Sequence, residues 1–138
     1  MVEALDNLNI TYRPDLNILY CRFVQPGTSA QLKAGYENAF KVAKEHQISF
    51  WLFDLRRRGP ARPEDEIWLL DQFFPRVEAE SKRQNFMAYL ISPSHYNHVR
   101  EVLGLERVET YSPLTHIKLF DAEEQALEWL TRNQAIKI

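Results

Sequence analysis

The sequence predicts an α/β fold: a four- or five-stranded mixed sheet, mostly parallel, with an N-terminal hairpin and about four helices, forming one domain over residues 1–138. Three observations predict it. Phe50, Trp51, Leu52 and Phe53 stand in succession, and a run of large apolar groups without polar alternation belongs to a strand covered on both faces. From there to residue 132 strand-like and helix-like stretches alternate, the pattern of strands joined by crossover helices of right-handed sense. Ahead of them, two strand-like stretches flank turn residues, as in a hairpin.

The hairpin strands run from Leu8 to Arg13 and from Leu16 to Val24, with Pro14-Asp15 and Asn17 as the turn chemistry between them. Pro26-Gly27 breaks the chain. Thr28 and Gln31 then have the spacing of a capping box, so a helix follows to about His46 with Leu32, Tyr36, Phe40 and Ala43 as its apolar stripe. After the central strand a helix begins near Pro63, where a missing N–H costs nothing. Ile67, Leu70, Phe74 and Val77 trace its apolar face, widened by Trp68 and Phe73. Pro75 interrupts that face, so a kink or a break into two short helices is expected between Glu64 and about Lys82.

Gln84 to Ser92 reads as a second buried strand. Ser92-Pro93 caps and opens a short helix with Tyr96, Val99 and Leu103 on one stripe, and Gly104 is placed to end it in a left-handed conformation. Arg107 to Thr115 is polar and broken by Pro113, an irregular crossing or an edge strand. His116 to Phe120 is a compact strand. Asp121 with Glu124 repeats the capping pattern, and Ala122, Ala126, Trp129 and Leu130 line a final helix toward Arg132.

Composition excludes several classes of function. With 45% hydrophobic and 12% aromatic residues and no repeat, the chain is globular. At 138 residues it can bury about two-thirds of its unfolded surface, so neither metal nor disulfide is needed to hold it. Seventeen basic and nineteen acidic side chains leave a formal charge of −2, which gives no general attraction to nucleic acid or to an anionic membrane. Cys21 is the one cysteine, so no intrachain disulfide forms, and its apolar strand setting points to a reduced, cytoplasmic protein. Met1 to Ile10 carries Glu3 and Asp6 without the layout of an export signal, and no apolar run approaches the roughly 20 residues of a membrane span.

This order of elements, the strand Phe50-Trp51-Leu52-Phe53-Asp54-Leu55 before a helix, and the ending Phe120-Asp121-Ala122-Glu123-Glu124-Gln125-Ala126-Leu127-Glu128-Trp129-Leu130 together resemble the STAS family, the sulphate-transporter and anti-sigma-factor-antagonist domain, in its stand-alone bacterial type. The resemblance implies a mixed sheet with helices mainly on one side and a regulatory module that binds a protein partner without catalysis. In the anti-sigma antagonists a serine early in the helix after the central strand accepts phosphate. The corresponding region here is about Arg62 to Asp65, and no Ser or Thr stands between Ser49 and Ser81. Pro63, Glu64, Asp65 and Glu66 take that place, and carboxylates at a helix start suit its dipole as a phosphate would.

Ligands and partners of open α/β sheets meet the protein at the carboxyl ends of the strands, which puts the corner from Asp54 to Glu66 first. Arg56, Arg57, Arg58 and Arg62 are suited to an anion or phosphopeptide, or form a solvated loop neutralised by Glu64, Asp65 and Glu66. The expected partner-binding residues are Asp54, Arg56, Arg57, Arg58, Arg62, Glu64, Asp65 and Trp68, for a protein of unknown identity, with a second copy of the chain among the candidates. The alternative is a carrier of a small apolar ligand or lipid, held between sheet and helices by Trp51, Trp68, Phe73 and Phe74. No catalytic residue, metal or cofactor is expected. Asp54 ends a strand as a phosphate-accepting aspartate does, but Ile18 to Arg22 offers no acidic pair for Mg²⁺. His95 and His98 lack a visible third ligand, Cys21 has no fixed base beside it, and Gly59 is alone where a phosphate loop needs several glycines.

Overall fold

A computed structural model describes residues 2–4, 7–109 and 111–136. Six strands form one sheet in the order of the sequence: β1 (Val2–Ala4), β2 (Leu8–Arg13), β3 (Ile18–Phe23), β4 (Phe50–Asp54), β5 (Asn85–Leu90) and β6 (Thr115–Phe120). The first two pairings are antiparallel and the other three parallel. This is the mixed sheet with an opening hairpin that the sequence predicts, with one strand more. The addition, β1, sets Val2 against Thr11 and Ala4 against Asn9, and its three residues are too few to show a strand period.

β4 lies inside the sheet, Trp51 in register with Leu19 of β3 on one side and Met87 of β5 on the other. All five of its residues are buried. Because successive strand side chains point to opposite faces, Trp51 and Phe53 enter one core while Phe50 and Leu52 enter a second.

The helices sort onto those two faces. α1 (Ser29–His46) opens with the expected capping box: Thr28 Oγ1 accepts from the Gln31 N–H at 3.1 Å, and Gln31 Oε1 accepts from the Thr28 N–H at 2.9 Å. Its stripe of Leu32, Tyr36, Phe40 and Ala43 is buried. α2 (Pro63–Trp68) and α3 (Phe74–Ser81) are joined by a π-helical turn, Leu69–Phe73. This is the break expected at Pro75. Just before the proline, which has no N–H to give, the Phe74 N–H reaches five residues back to the Leu69 carbonyl. α4 (Pro93–His98) is capped by Ser92 Oγ, which accepts from the His95 N–H at 3.2 Å. A second π-helical turn, Val99–Leu103, leads to α5 (Leu105–Glu109). Residues of all these helical stretches share the core of Trp51 and Phe53. α6 (Glu123–Ile136) lies on the other face, Ala126 and Leu130 packing on Phe50, Phe86 and Phe120. With strands laid down in order and the three crossovers on one face, those crossovers share one hand.

Four local expectations are corrected. β3 starts at Ile18 and not at Leu16, because the turn extends through Asn17, whose φ is +56°. Gly104 has φ +84° but ψ 120°, outside the left-handed helical region; its N–H closes the π-helical turn on the Val99 carbonyl at 2.8 Å. The stretch from Arg107 to Thr115 starts within α5, and past it the Tyr111 hydroxyl donates to the Leu70 carbonyl. Thr110 lies outside the described residues, as do Asp6 and the side chain of Leu103. Finally, α6 opens at Glu123, so Ala122 and not Asp121 precedes its first turn, with the Ala126 N–H bonded to the Ala122 carbonyl.

Candidate functional site

The carboxyl ends of β3 and β4 carry a network of four charges. Arg22 donates through Nη1 to Asp54 Oδ2 at 2.9 Å and through Nη2 to Glu123 Oε2 at 2.9 Å. Arg56 donates through Nε and Nη2 to the two oxygens of Asp54, each at 3.0 Å, and its backbone N–H adds a bond to Oδ1 at 3.2 Å. The Asp54 side chain is 11% exposed. Burial raises its pKa, but Arg56 and then Arg22 outweigh that, and the carboxyl sits below the usual aspartate range. Asp54 and Arg56 therefore tie the corner to β3 and α6, and Asp54 is closed to a partner.

The remaining arginines take separate paths. Arg57 is exposed. Arg62 is exposed and donates to Ser29 Oγ at 3.0 Å, while that hydroxyl donates to Asp65 Oδ2 at 2.9 Å. Asp65 is buried, against the expectation of an outward carboxylate, because α2 turns it toward the start of α1. Glu64 is exposed. Trp68 is half-buried, stacked on Phe73 with centroids 5.4 Å apart and covered by Lys33 Nζ 5.7 Å from its ring. It braces the helices and is not a free aromatic anchor.

Arg58 turns inward. Its guanidinium lies over the Phe23 ring at 4.7 Å, and Nε donates to the Gly59 carbonyl at 3.3 Å. Gly59 makes that return possible at φ +79°. Nη1 is buried without a hydrogen-bond partner. Arg58 lines a cavity of about 80 Å³ at the carboxyl ends of β4, β5 and β6, beneath α2, α4 and α5. Leu69, Phe74, Ile91, Val99, Ile117 and Leu119 make up much of its apolar wall. Polar groups reach the wall from five places: Tyr36 and Tyr89, whose hydroxyls lie 2.9 Å apart, Arg58, Glu66 and His95.

Burial dominates the electrostatics here. His95 is 5% exposed and its Nδ1 has no partner; burial, then the charges of Arg58 and His98, push its pKa down to about 4. Burial raises the pKa of Glu66, with His98 and Arg58 opposing. A buried polar group left unpaired costs about 1–3 kcal/mol, more when charged. Arg58 and His95 each bring such a group to residues that line one apolar cavity.

Comparisons with protein-family models, with curated proteins and with solved structures find no match.

Of the eight expected partner-binding residues, one, Arg58, lines the cavity. Of the four aromatics expected to line a pocket, Phe74 does; Trp51 lines a separate hollow near the other end of the strands, with Phe40 and Val77. Phe73 packs under Tyr36 with centroids 5.1 Å apart. Sequence reasoning missed Tyr36 and Tyr89 as polar wall, since each reads as core, and Glu66, since it reads as one of three surface carboxylates. Arg22 carried a usable signal: a charge within the strand Ile18–Phe23, otherwise apolar, needs a partner. His95 and His98 stand with ring centroids 6.3 Å apart, and among the described residues no three His, Cys, Asp or Glu side chains gather as a metal site. Burial pushes the Cys21 thiol far up, away from a nucleophilic thiolate.

Proposed function

We propose that this chain is a non-enzymatic binding module of the STAS type whose site is the cavity between sheet and helices, and that it holds a small apolar ligand. The observation that carries this reading is the position of the cavity: an apolar chamber at the carboxyl ends of three adjacent parallel strands, where open α/β sheets take their ligands. Its size allows several waters or a ligand of a few carbons. Titration of the ¹³C-methyl-labelled protein with butan-1-ol and with butyrate tests this reading. Shifts concentrated in the methyls of the wall, those of Leu69, Val99, Ile117 and Leu119 among them, and lost in Val99→Phe, are expected. Silence of those methyls toward both probes removes the reading.

Protein capture at the corner is the second reading, favoured by Arg57 and Glu64 standing exposed and by Ile67 of α2 at 58% exposure. The phospho-switch of the anti-sigma antagonists is no part of it, because the acceptor hydroxyl is missing from Arg62 to Asp65. Arg57→Glu combined with Ile67→Ser is expected to lower capture of a co-purifying protein in a pull-down while the circular dichroism stays unchanged. Capture that survives both changes counts against this surface.

A further inference from the structure

The polar groups of the wall set what its ligand must carry. Arg58 Nη1 and His95 Nδ1 are both buried without partners, and both residues line the same apolar chamber. His98 Nε2, one turn from His95, is buried and unpartnered as well. Native proteins rarely leave such atoms unmatched. Arg58 is also held in advance, by Phe23 beneath its guanidinium and by the Gly59 carbonyl at Nε, so little side-chain freedom is lost on binding.

The sign of the missing charge follows from an asymmetry between the two ionised groups of the wall. The guanidinium keeps its proton at any working pH, so the positive charge in the chamber is permanent. Glu66 is the one carboxylate of the lining, and burial already pushes it toward its neutral form. An added negative charge is tolerated because Glu66 can discharge by taking a proton. An added positive charge is not, since Arg58 cannot give one up. The neutral His95, in its Nδ1–H tautomer, is a second donor without a cost of charge.

We infer that the ligand is a short-chain carboxylate, its anionic end held by Arg58 Nη1 and His95 Nδ1 and its hydrocarbon end packed against Leu69, Val99 and Ile117. This rests on the cavity being the binding site. Arginine suits the role, since its fork of donors pairs with carboxylate oxygens. One of the Tyr36 and Tyr89 hydroxyls donates to the other, and Tyr36 also feels the Arg58 guanidinium beside it. Glu66 tunes the site by opposing the anion.

Three four-carbon probes test the inference on the native chain: butyrate, butan-1-ol and butylamine, each titrated against the cavity methyls by NMR. Butyrate is expected to bind at least about tenfold more tightly than the alcohol, the worth of a charge-assisted hydrogen bond, and butylamine to bind most weakly. Arg58→Met should erase the preference of butyrate over butan-1-ol, and Glu66→Gln should tighten butyrate without changing the alcohol. Equal binding of alcohol and carboxylate, or preference for the amine, overturns the inference and leaves the cavity as a ligand site. No response to any probe overturns both. The probe comparison needs no variant, so a failure of Arg58→Met to fold does not blunt it.

Discussion

Asp54 shows how one residue can look like a functional group and serve as a strut. Two guanidiniums on one carboxylate, with Glu123 balancing the charge, join β3, β4 and α6. His95 is the opposite case: an ordinary histidine in sequence, yet enclosed and short of a partner. Its lowered pKa has a consequence for stability. The unfolded chain takes up the imidazole proton near the ordinary value of 6.5, the folded chain near about 4. Between those values the unfolded state binds more protons, so stability is full above the upper value and falls as the pH drops toward the lower one. At roughly 1.4 kcal/mol per pH unit the loss is about 3 kcal/mol. His116, lowered by burial too, adds to it in the same direction. Urea unfolding at a series of pH values should show this slope, and His95→Phe should flatten most of it. A slope unchanged in the variant would place the titration elsewhere. Asp54 acts only below this window, where its lowered carboxyl loses its charge.

Among elements, α1 packs tightly against Leu8 of the sheet at Gly35. A Cβ there would come within 2.8 Å of Leu8 Cδ2, so the glycine is kept for approach and not for turning. Two effects compete in Gly35→Ala. Helix propensity favours alanine by about 1 kcal/mol, while forcing a methyl into a packed core costs about 1–3 kcal/mol. Leu8 is buried in that core, so the crowding wins and a net loss of about 1 kcal/mol is expected in chemical denaturation. Leu8→Val in the same chain should relieve it, the double variant being more stable than the sum of the singles. Additive effects would argue against the contact. Elements were legible where local chemistry acts alone: the capping box at Thr28, the break at Pro75, the unbroken apolar run of β4. They were illegible where a distant group decides. α6 starts at Glu123, and that residue is drawn to Arg22, 101 positions away in the chain; no local pattern announces it.

At the scale of the whole molecule, two cores share one sheet. Trp51 and Phe53 belong to the larger, Phe50 and Leu52 to the smaller, and α6 packs on the second. Because every central strand contributes to both, neither should melt alone. Leu130→Ala removes a fully buried side chain from the smaller core and is expected to cost about 2–5 kcal/mol. Tryptophan fluorescence and far-ultraviolet circular dichroism should shift together in that variant. A separate, earlier fluorescence transition would mean that α6 detaches first. Among the described residues no helix is long and apolar enough to cross a membrane.

By itself the sequence determined the α/β class, the central place of β4 and most element boundaries, because periodicity, caps and prolines act over a few residues and need no distant partner. Only the tertiary structure decided which arginine matters. Arg56, Arg57, Arg58 and Arg62 are alike in composition and spacing, and what separates them is the group each one meets after folding: Asp54, solvent, an apolar cavity or Ser29. A charge is defined by its surroundings, and those are brought together from strands and helices far apart along the chain.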